Sequence, residues 1–373
     1  MKNIWIILII GILIRVFLSF STTHPDIQSL NAAGKVVAQG HVLDLYDYSS
    51  EAVVFNYPPS IYWFFGILNF LFGDSLELLK LSYLIFDIFL GFLLLKLIDP
   101  RKAAIAFGLW IFNPISLYAT YMMGQFDIIP TFFTVVSLYL ATKNKLKLAA
   151  LALGFGVAFK LYPIFLCLPL IILGKTFWEK MRLGILTILP YILSIIPYLG
   201  SPSFRSQALV ANQTDKSLYA SIPLSGGEAI LLFPASLIFF YLLIWGRQMN
   251  KLFFWRFFLI PLLLFFIFTH FHPQWLIWVT PFLILDLVTE RFKNLLPILL
   301  IFITWVSSLF FFDASLTVGI FAPLLPILKN TPDIWTQLGI TLDYNLSRSI
   351  LQTVFASAAF YLIVKYFPGN EKA

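Results

Sequence analysis

Residues 2–34 read KNIWIILIIGILIRVFLSFSTTHPDIQSLNAAG. Positions 3–20 form an almost wholly apolar run of 18 residues, close to the roughly 20 that carry a helix across the hydrocarbon core of a bilayer. Lys2 ahead of the run and the small residues 19–22 after it give the outline of a signal peptide. The length of the run favours a retained first helix. Two charges break the pattern: Arg15 inside the run, and Asp26 just past what reads as a membrane exit.

The rest of the chain repeats the theme. Of its 373 residues 60% are hydrophobic and only 12% charged, with a mean hydropathy of +0.89, whereas about a quarter of a soluble domain is charged. This composition predicts an all-α, polytopic transmembrane helix bundle of about 12 spans, treated as one domain over residues 1–373. The net charge of +7 raises nucleic acid as a partner, but the positions of the basic residues argue against it. Residues 96–102, 143–147, 175–182, 247–256 and 291–293, with the two termini, hold 17 of the 25 Lys and Arg. These lie in alternate loops, the positive-inside pattern of a multi-pass protein. The single cysteine, Cys167, allows no internal disulfide.

With the basic loops cytoplasmic, spans are expected at 3–20, 77–97, 103–121, 126–142, 147–160, 161–174, 183–199, 227–246, 253–270, 273–289, 294–312 and 347–366. The stretch 60–73, SIYWFFGILNFLFG, is short for a span, and a re-entrant or interfacial helix suits both its length and the charge pattern. An amphipathic helix, IQSLNAAGKVVAQ, precedes it. Three polar segments then face the exoplasm, at about 21–76 (the first loop with its two helices), 200–226 and 313–346. Function is sought there, because loops on a rigid scaffold usually carry it.

Asp26 is open to two compatible roles. As a helix N-cap it offers an oxygen to the amides near Gln28 and Ser29; at the outer membrane surface it can act as general base toward a hydroxyl. DLYDYSSEAVVFNYPPSIYW (44–63) gathers Asp44, Asp47, Glu51 and Tyr57 around Pro58-Pro59. Tyr46, Tyr48, Tyr62 and Trp63 suit an interfacial aromatic belt, while Asp44, Asp47 and Tyr57 are candidate sugar or acceptor contacts. In YATYMMGQFDIIP (118–130) Gly124 supplies a turn, and Gln125 and Asp127 are candidate substrate contacts, since an acid entering a span usually faces a cavity.

Lys160 and Tyr162 sit where two short apolar runs meet at KLYP (160–163). A cation there costs about 2.5–3.5 kcal/mol, offset either by snorkelling to headgroups or by an anionic group. Arg15 raises the same choice. FTHFHPQWLIWVTP (268–281) puts His270, His272 and Gln274 at another exoplasmic turn. No Cys or carboxylate stands at a metal-ligand spacing from the two histidines, so no metal site is expected. Hydrogen bonding to a phosphate or sugar hydroxyl is the expected role.

One reaction that matches this set well is transfer of a sugar from a polyprenyl phosphate. The lipid tail calls for an intramembrane groove, the phosphate for buried cations (Lys160, Arg15), and the acceptor hydroxyl for a base. One carboxylate suffices because phosphate departs unprotonated, so an in-line, inverting displacement is expected. Membrane lipids, the polyprenyl-phosphate-linked donor and a glycolipid, glycan or protein acceptor are the expected partners; no cofactor is expected, and the oligomeric state is left open.

An acid after the first helix, YPP before a short helix, an N-P…G-Q-F-D turn, K-L-Y-P and an H-P-Q-W turn resemble the GT-C superfamily of integral-membrane glycosyltransferases. The order is similar to that in polyprenyl-phosphate-sugar-dependent bacterial mannosyltransferases, GPI mannosyltransferase I enzymes and dolichyl-phosphate-glucose glucosyltransferases, over about residues 1–290. The resemblance implies a GT-C-like fold, hexosyl transfer with mannose ahead of glucose, and Asp26 as catalytic residue. Where GPI mannosyltransferases carry Asp-x-Asp, this chain reads Asp26-Ile27-Gln28, and metal independence is expected. The enzyme would sit in the plasma membrane of a prokaryote or the endoplasmic reticulum of a eukaryote, its active site exoplasmic. A lipid-linked glycan ligase or polymerase, and a lipid or small-molecule transporter, are the alternatives.

Overall fold

The structure is a computed structural model that describes residues 2–48, 53, 55–209, 215–247, 253–270 and 272–367. Glu51 lies outside the described residues. Among the described residues five helices are long and apolar enough to cross a membrane: Ile4–Ser21, Leu76–Leu97, Pro100–Met122, Phe177–Tyr198 and Tyr344–Tyr366. Eight shorter apolar helices accompany them among the described residues, and the fold is the all-α membrane bundle expected. Its contacts gather into two compact units, 1–29 with 74–128 and 272–364, and 30–73 with 129–271 and 365–373.

In the first unit the helix Lys2–Ser21 shows how the fold is solvated. Trp5, Ile9, Leu13 and Phe17, one turn apart, are each more than half exposed, while Leu8, Arg15 and Ser19 are buried. A helix with its apolar stripe outward and its charge inward is the reverse of a soluble one, and it is stable only where lipid meets the exposed face. Leu76–Ser82 and Leu84–Leu97 follow one another through Tyr83. Pro100–Ile111 starts on an Asp99 cap, and Asn113 caps the turn that follows through the amides of Ile115 and Ser116. That turn widens into a π-helical stretch, Leu117–Met122, a distortion often found at functional sites. The expected span 273–289 begins as the 3-10 turns Pro273–Trp278 and continues as Thr280–Thr289. It is buried from Pro273 to Val288, as an all-round apolar helix should be.

In the second unit Leu146–Phe159 packs along Phe177–Ile195. Ala149, Ala150, Ala152, Gly154 and Ala158 are buried on the first of these helices, and small residues let helix backbones approach closely. A Cβ on Gly154 would lie 2.6 Å from the Thr187 carbonyl oxygen and 2.8 Å from Pro190 Cδ. The chain leaves Leu146–Phe159 at Lys160, which is extended (φ −158°, ψ 139°), and re-enters at Tyr162–Leu166. The break expected at KLYP is therefore present. Pro59–Phe72 starts behind Pro58 and has 14 residues, about 21 Å of helix against the ~30 Å hydrocarbon core. Residues 30–38, the second part of helix Pro25–Ala38, lie against it at Gly34, where a Cβ would be 2.8 Å from the Phe65 carbonyl oxygen.

The sequence expectation needs one correction here. Residues 227–231 do not begin the helix expected at 227–246. Ala229–Leu231 pairs antiparallel with Ser221–Pro223, the link turning at Gly226 and Gly227 with φ of +82° and +89°. Consecutive glycines with positive φ are what a tight hairpin demands, and the helix starts only at Leu232.

Substituting Gly154→Ala sets a methyl against backbone that cannot move aside. Thermal unfolding in detergent is expected to show a loss of about 1–3 kcal/mol.

Candidate active site

The first unit holds Asp26 at the end of a short, firmly tied link. After Ser21 the chain leaves the first helix and starts the next at Pro25. Thr22 donates its hydroxyl to Leu18 O at 2.6 Å, its carbonyl accepts from Lys80 Nζ at 2.6 Å, and Thr23 N donates to Ile320 O at 2.9 Å. Three separate segments thus fix two residues. Proline suits the first position of a helix because its missing N–H would be unbonded there anyway.

Asp26 is therefore the second helical residue and not the cap that the sequence suggested. The capping position belongs to His24, whose ring Nδ1 accepts the Asp26 N–H at 3.2 Å. With Nδ1 accepting, the ring proton of neutral His24 resides on Nε2, which faces Ser315 Oγ at 3.5 Å. Burial pushes the His24 pKa below its ordinary 6.5, against the raising influence of Asp26 and Asp313. The ring is neutral at pH 7.

The Asp26 carboxylate is held from the G-Q-F-D turn. Gln125 Nε2 donates to Asp26 Oδ2, and the Gln125 side chain is buried. Gly124, at φ +74°, turns the chain beneath Ile27, and a Cβ there would fall 2.7 Å from Ile27 Cβ. Only glycine accepts both the conformation and that contact. Tyr83 OH donates to Gly124 O at 3.1 Å, and Gln125 N to Ala119 O at 2.9 Å. Asp127, wholly buried, accepts Trp278 Nε1 at 2.5 Å. The side chain of Asp26 itself stays 43% exposed, enough to meet a hydroxyl from outside. The arrangement can do one thing well: hold a carboxylate at a helix N-terminus, oriented by a neutral amide, with a face open for proton transfer.

Other candidates of this unit fall elsewhere. Arg15, expected at a donor phosphate, is fully buried and spent on the protein: Nε donates to Asp87 Oδ2 at 2.6 Å, and Nη1 to Gly11 O and Ile111 O. A guanidinium so enclosed answers its own burial cost with Asp87. Gln274 is buried, and its Oε1 has no hydrogen-bond partner among the described residues. His272 sets its ring 5.2 Å from that of Trp275, which in turn stacks on Trp278.

The remaining candidates belong to the second unit. Lys160 is buried with Nζ 5.6 Å from the centre of the Tyr57 ring, a cation–π distance. Tyr162 OH meets Thr131 Oγ1 at 3.1 Å. Tyr57 is fixed through its backbone, its carbonyl accepting Tyr46 OH and its N–H donating to Tyr62 OH. Asp44 is exposed and pairs with His41 at 2.9 Å, a hydrogen bond that holds its carboxyl below the ordinary value. Asp47 accepts Ser201 Oγ at 2.6 Å. His270 is exposed. Among the described residues no group of three or more His, Cys, Asp or Glu is placed to hold a metal ion.

Sequence reasoning passed over His24, Lys80, Asp87 and Trp278. Lys80 and Asp87 carried a usable signal, since an ionisable residue inside an apolar run implies a partner. His24 stood beside the candidate base, and its role depends on the helix starting one residue earlier than a capping aspartate would have it.

A family model described as mannosyltransferase (PIG-M) matches residues 121–211. That segment holds Gln125 and Asp127 as well as Lys160 and Tyr162. The chain is 27% identical to GPI mannosyltransferase 1 of Saccharomyces cerevisiae over 38% of its own length and 35% of the relative's. It is 32% identical to GPI mannosyltransferase 1 of Schizosaccharomyces pombe over 27% and 30%, and 28% identical to that of Candida albicans over 38% and 35%. The matches thus span about a third of the length of these curated relatives. In the segment that supplies the Gln125 contact to Asp26, this chain is similar to the PIG-M mannosyltransferases of the GT-C superfamily.

Proposed function

We propose that the protein transfers a mannosyl residue from a polyprenyl-phosphate donor to a hydroxyl of a lipid-linked glycan acceptor at the exoplasmic membrane surface. The observation that carries this is the hydrogen bond from Gln125, inside the matched mannosyltransferase segment, to the half-exposed carboxylate of Asp26. In this reaction Asp26 takes the proton of the acceptor hydroxyl as its oxygen attacks the anomeric carbon. The bond from that carbon to the donor phosphate oxygen breaks, and polyprenyl phosphate leaves with the electron pair. Attack opposite the leaving group inverts the sugar. Phosphate needs no proton to depart, so one carboxylate serves.

Lys160 supports the donor side of the reading. It is a buried cation at a break between helices, beside the electron-rich face of Tyr57, and a phosphate there would offset its burial. The names of the relatives point the acceptor toward glycosylphosphatidylinositol-type lipids.

The deciding experiment offers purified protein radiolabelled polyprenyl-phosphate mannose and polyprenyl-phosphate glucose with membrane glycolipid. Mannose is expected to be consumed; consumption of neither donor overturns the proposal. Asp26→Asn, which preserves shape, should lower turnover by about 10²–10⁴-fold, the usual worth of a general base, and undiminished transfer removes Asp26 from that role. Lys160→Ala should raise the donor KM well above any change in the acceptor KM, and equal effects on both would return Lys160 to a structural part.

A pH dependence follows from His24. Its folded pKa lies below its unfolded one, so its contribution is fully present above about pH 6.5 and is lost as pH falls from there toward the folded value. Asp26 and Asp313, the charged groups facing it, soften the effect. His24→Asn keeps a good capping residue and should flatten the melting temperature between about pH 6.5 and 5 relative to wild type.

A further inference from the structure

The hairpin of residues 221–231, in the second unit, takes no part in the chemistry proposed above, yet its surface is ill suited to water. Ser221, Ile222 and Pro223 pair with Leu231, Ile230 and Ala229, and Leu224 N donates to Glu228 O at 2.7 Å. Successive strand residues point to opposite faces. Ile222, Leu224 and Ile230 therefore share one face, with Glu228 beside the tip, while Ser221, Pro223 and Ala229 share the other. The three large apolar side chains are 51, 49 and 44% exposed. A ribbon of two strands is at best marginally stable in water by itself, and this one turns its apolar face outward. We propose that the hairpin is an interfacial membrane anchor, with Ile222, Leu224 and Ile230 set into the lipid leaflet at the start of the helix Leu232–Ile244.

The face is continuous with a surface that lipid already covers. Leu231 runs directly into that helix, and Leu232 N donates to Ala220 O at 2.9 Å, so both strands are tied to its first turn. On the helix Ala235, Ile238, Phe239 and Leu242 form an exposed stripe at the spacing of one helix face, while Phe233, Leu237, Phe240 and Ile244 are buried. An outward apolar stripe of this kind is stable against acyl chains.

The length of the helix brings the lipid to the hairpin. Its 13 residues make about 20 Å, about 10 Å less than the hydrocarbon core. Arg247, exposed just past the far end, holds that end among headgroups and water. The shortfall then lies at the hairpin end, where the acyl chains reach past Leu232 to the level of the strands. Open strand edges limit the depth, because unpaired backbone groups are too costly deep in hydrocarbon. An amphipathic segment at the boundary of headgroups and acyl chains meets both conditions: the apolar face turns to the acyl chains, and the edges and the tip at Ser225–Gly227 keep to headgroup water. Tyr219, also exposed, suits the same level.

The test places a nitroxide label on single cysteines in the full chain in phosphatidylcholine nanodiscs, with the buried Cys167 removed as Cys167→Ala. Collision with oxygen, which concentrates in lipid, is compared with collision with a nickel chelate, which stays in water. The oxygen-to-nickel ratio is expected to be severalfold higher at Ile222→Cys, Leu224→Cys and Ile230→Cys than at Ser221→Cys and Ala229→Cys. All these side chains are exposed, so the label should leave the fold intact. A ratio equal on the two faces overturns the anchor. Labels on the apolar face shielded from both reagents assign that face to a second copy of the chain and overturn lipid as its partner. Ile222→Glu combined with Ile230→Glu should lower the ratio at Leu224→Cys toward its value in water, and an unchanged ratio there removes the apolar face as the cause of insertion. The labels are read without any sugar donor, so the outcome does not depend on the mannosyl reaction.

Discussion

A guanidinium cannot remain in the apolar interior of a bundle without an anion, and that constraint organises the first unit. Arg15 and Asp87 are both fully buried and pair at 2.6 Å. Asp87 also accepts Tyr121 OH at 2.7 Å and Trp110 Nε1 at 2.8 Å. One carboxylate therefore ties together the helix Lys2–Ser21, its own helix Leu84–Leu97, Pro100–Ile111 and the π-helical stretch Leu117–Met122. Removing either charge would strand the other, a loss on the order of 3–5 kcal/mol. The consequence reaches the site. Thr22 lies seven residues beyond Arg15, and Gln125 four beyond Tyr121, so the network that fixes the depth of both strands of chain also brings Gln125 to the level of Asp26.

Above the network the link from Ser21 to Pro25 has no regular structure of its own to keep it still. Lys80, Ile320 and Leu18 hold it instead, and Gly124 fits beneath Ile27 with no room for a side chain. A general base is useful only when its oxygen stays within a fraction of an ångström of the proton it takes. The many ties on residues 22–27 hold the Asp26 carboxylate in the way that the proposed role requires. His24 accepts the Asp26 amide, which leaves the carboxylate to Gln125 and to the exposed side.

Much of this was legible in the sequence because lipid makes it so. Apolar runs mark helices wherever backbone groups must bond internally, and the breaks at KLYP, YPP and the G-Q-F-D turn fall where Pro, Gly or a charge interrupts those runs. The hairpin at 221–231 was not legible, since Ala-Ile-Leu continues an apolar run and only Gly226-Gly227 argue for a turn. Nor was the fate of Arg15. Sequence says that a buried cation needs an anion, but whether the anion is Asp87 or a bound phosphate depends on how the helix faces meet, which no spacing in one strand of sequence encodes. The same limit hid the partner of Lys80, the Thr22 carbonyl.

The match to the mannosyltransferases covers parts of both units. Residues 121–211 include the turn that orients Asp26 and the KLYP break that holds Lys160. Ile320, Ser315, Lys329 and Arg348 lie outside that segment. They anchor the link before Asp26 and line a cleft that opens beside it. Residues 22–28 stand between the two, with Thr23 and His24 meeting Ile320 and Ser315 on one side and Asp26 meeting Gln125 on the other.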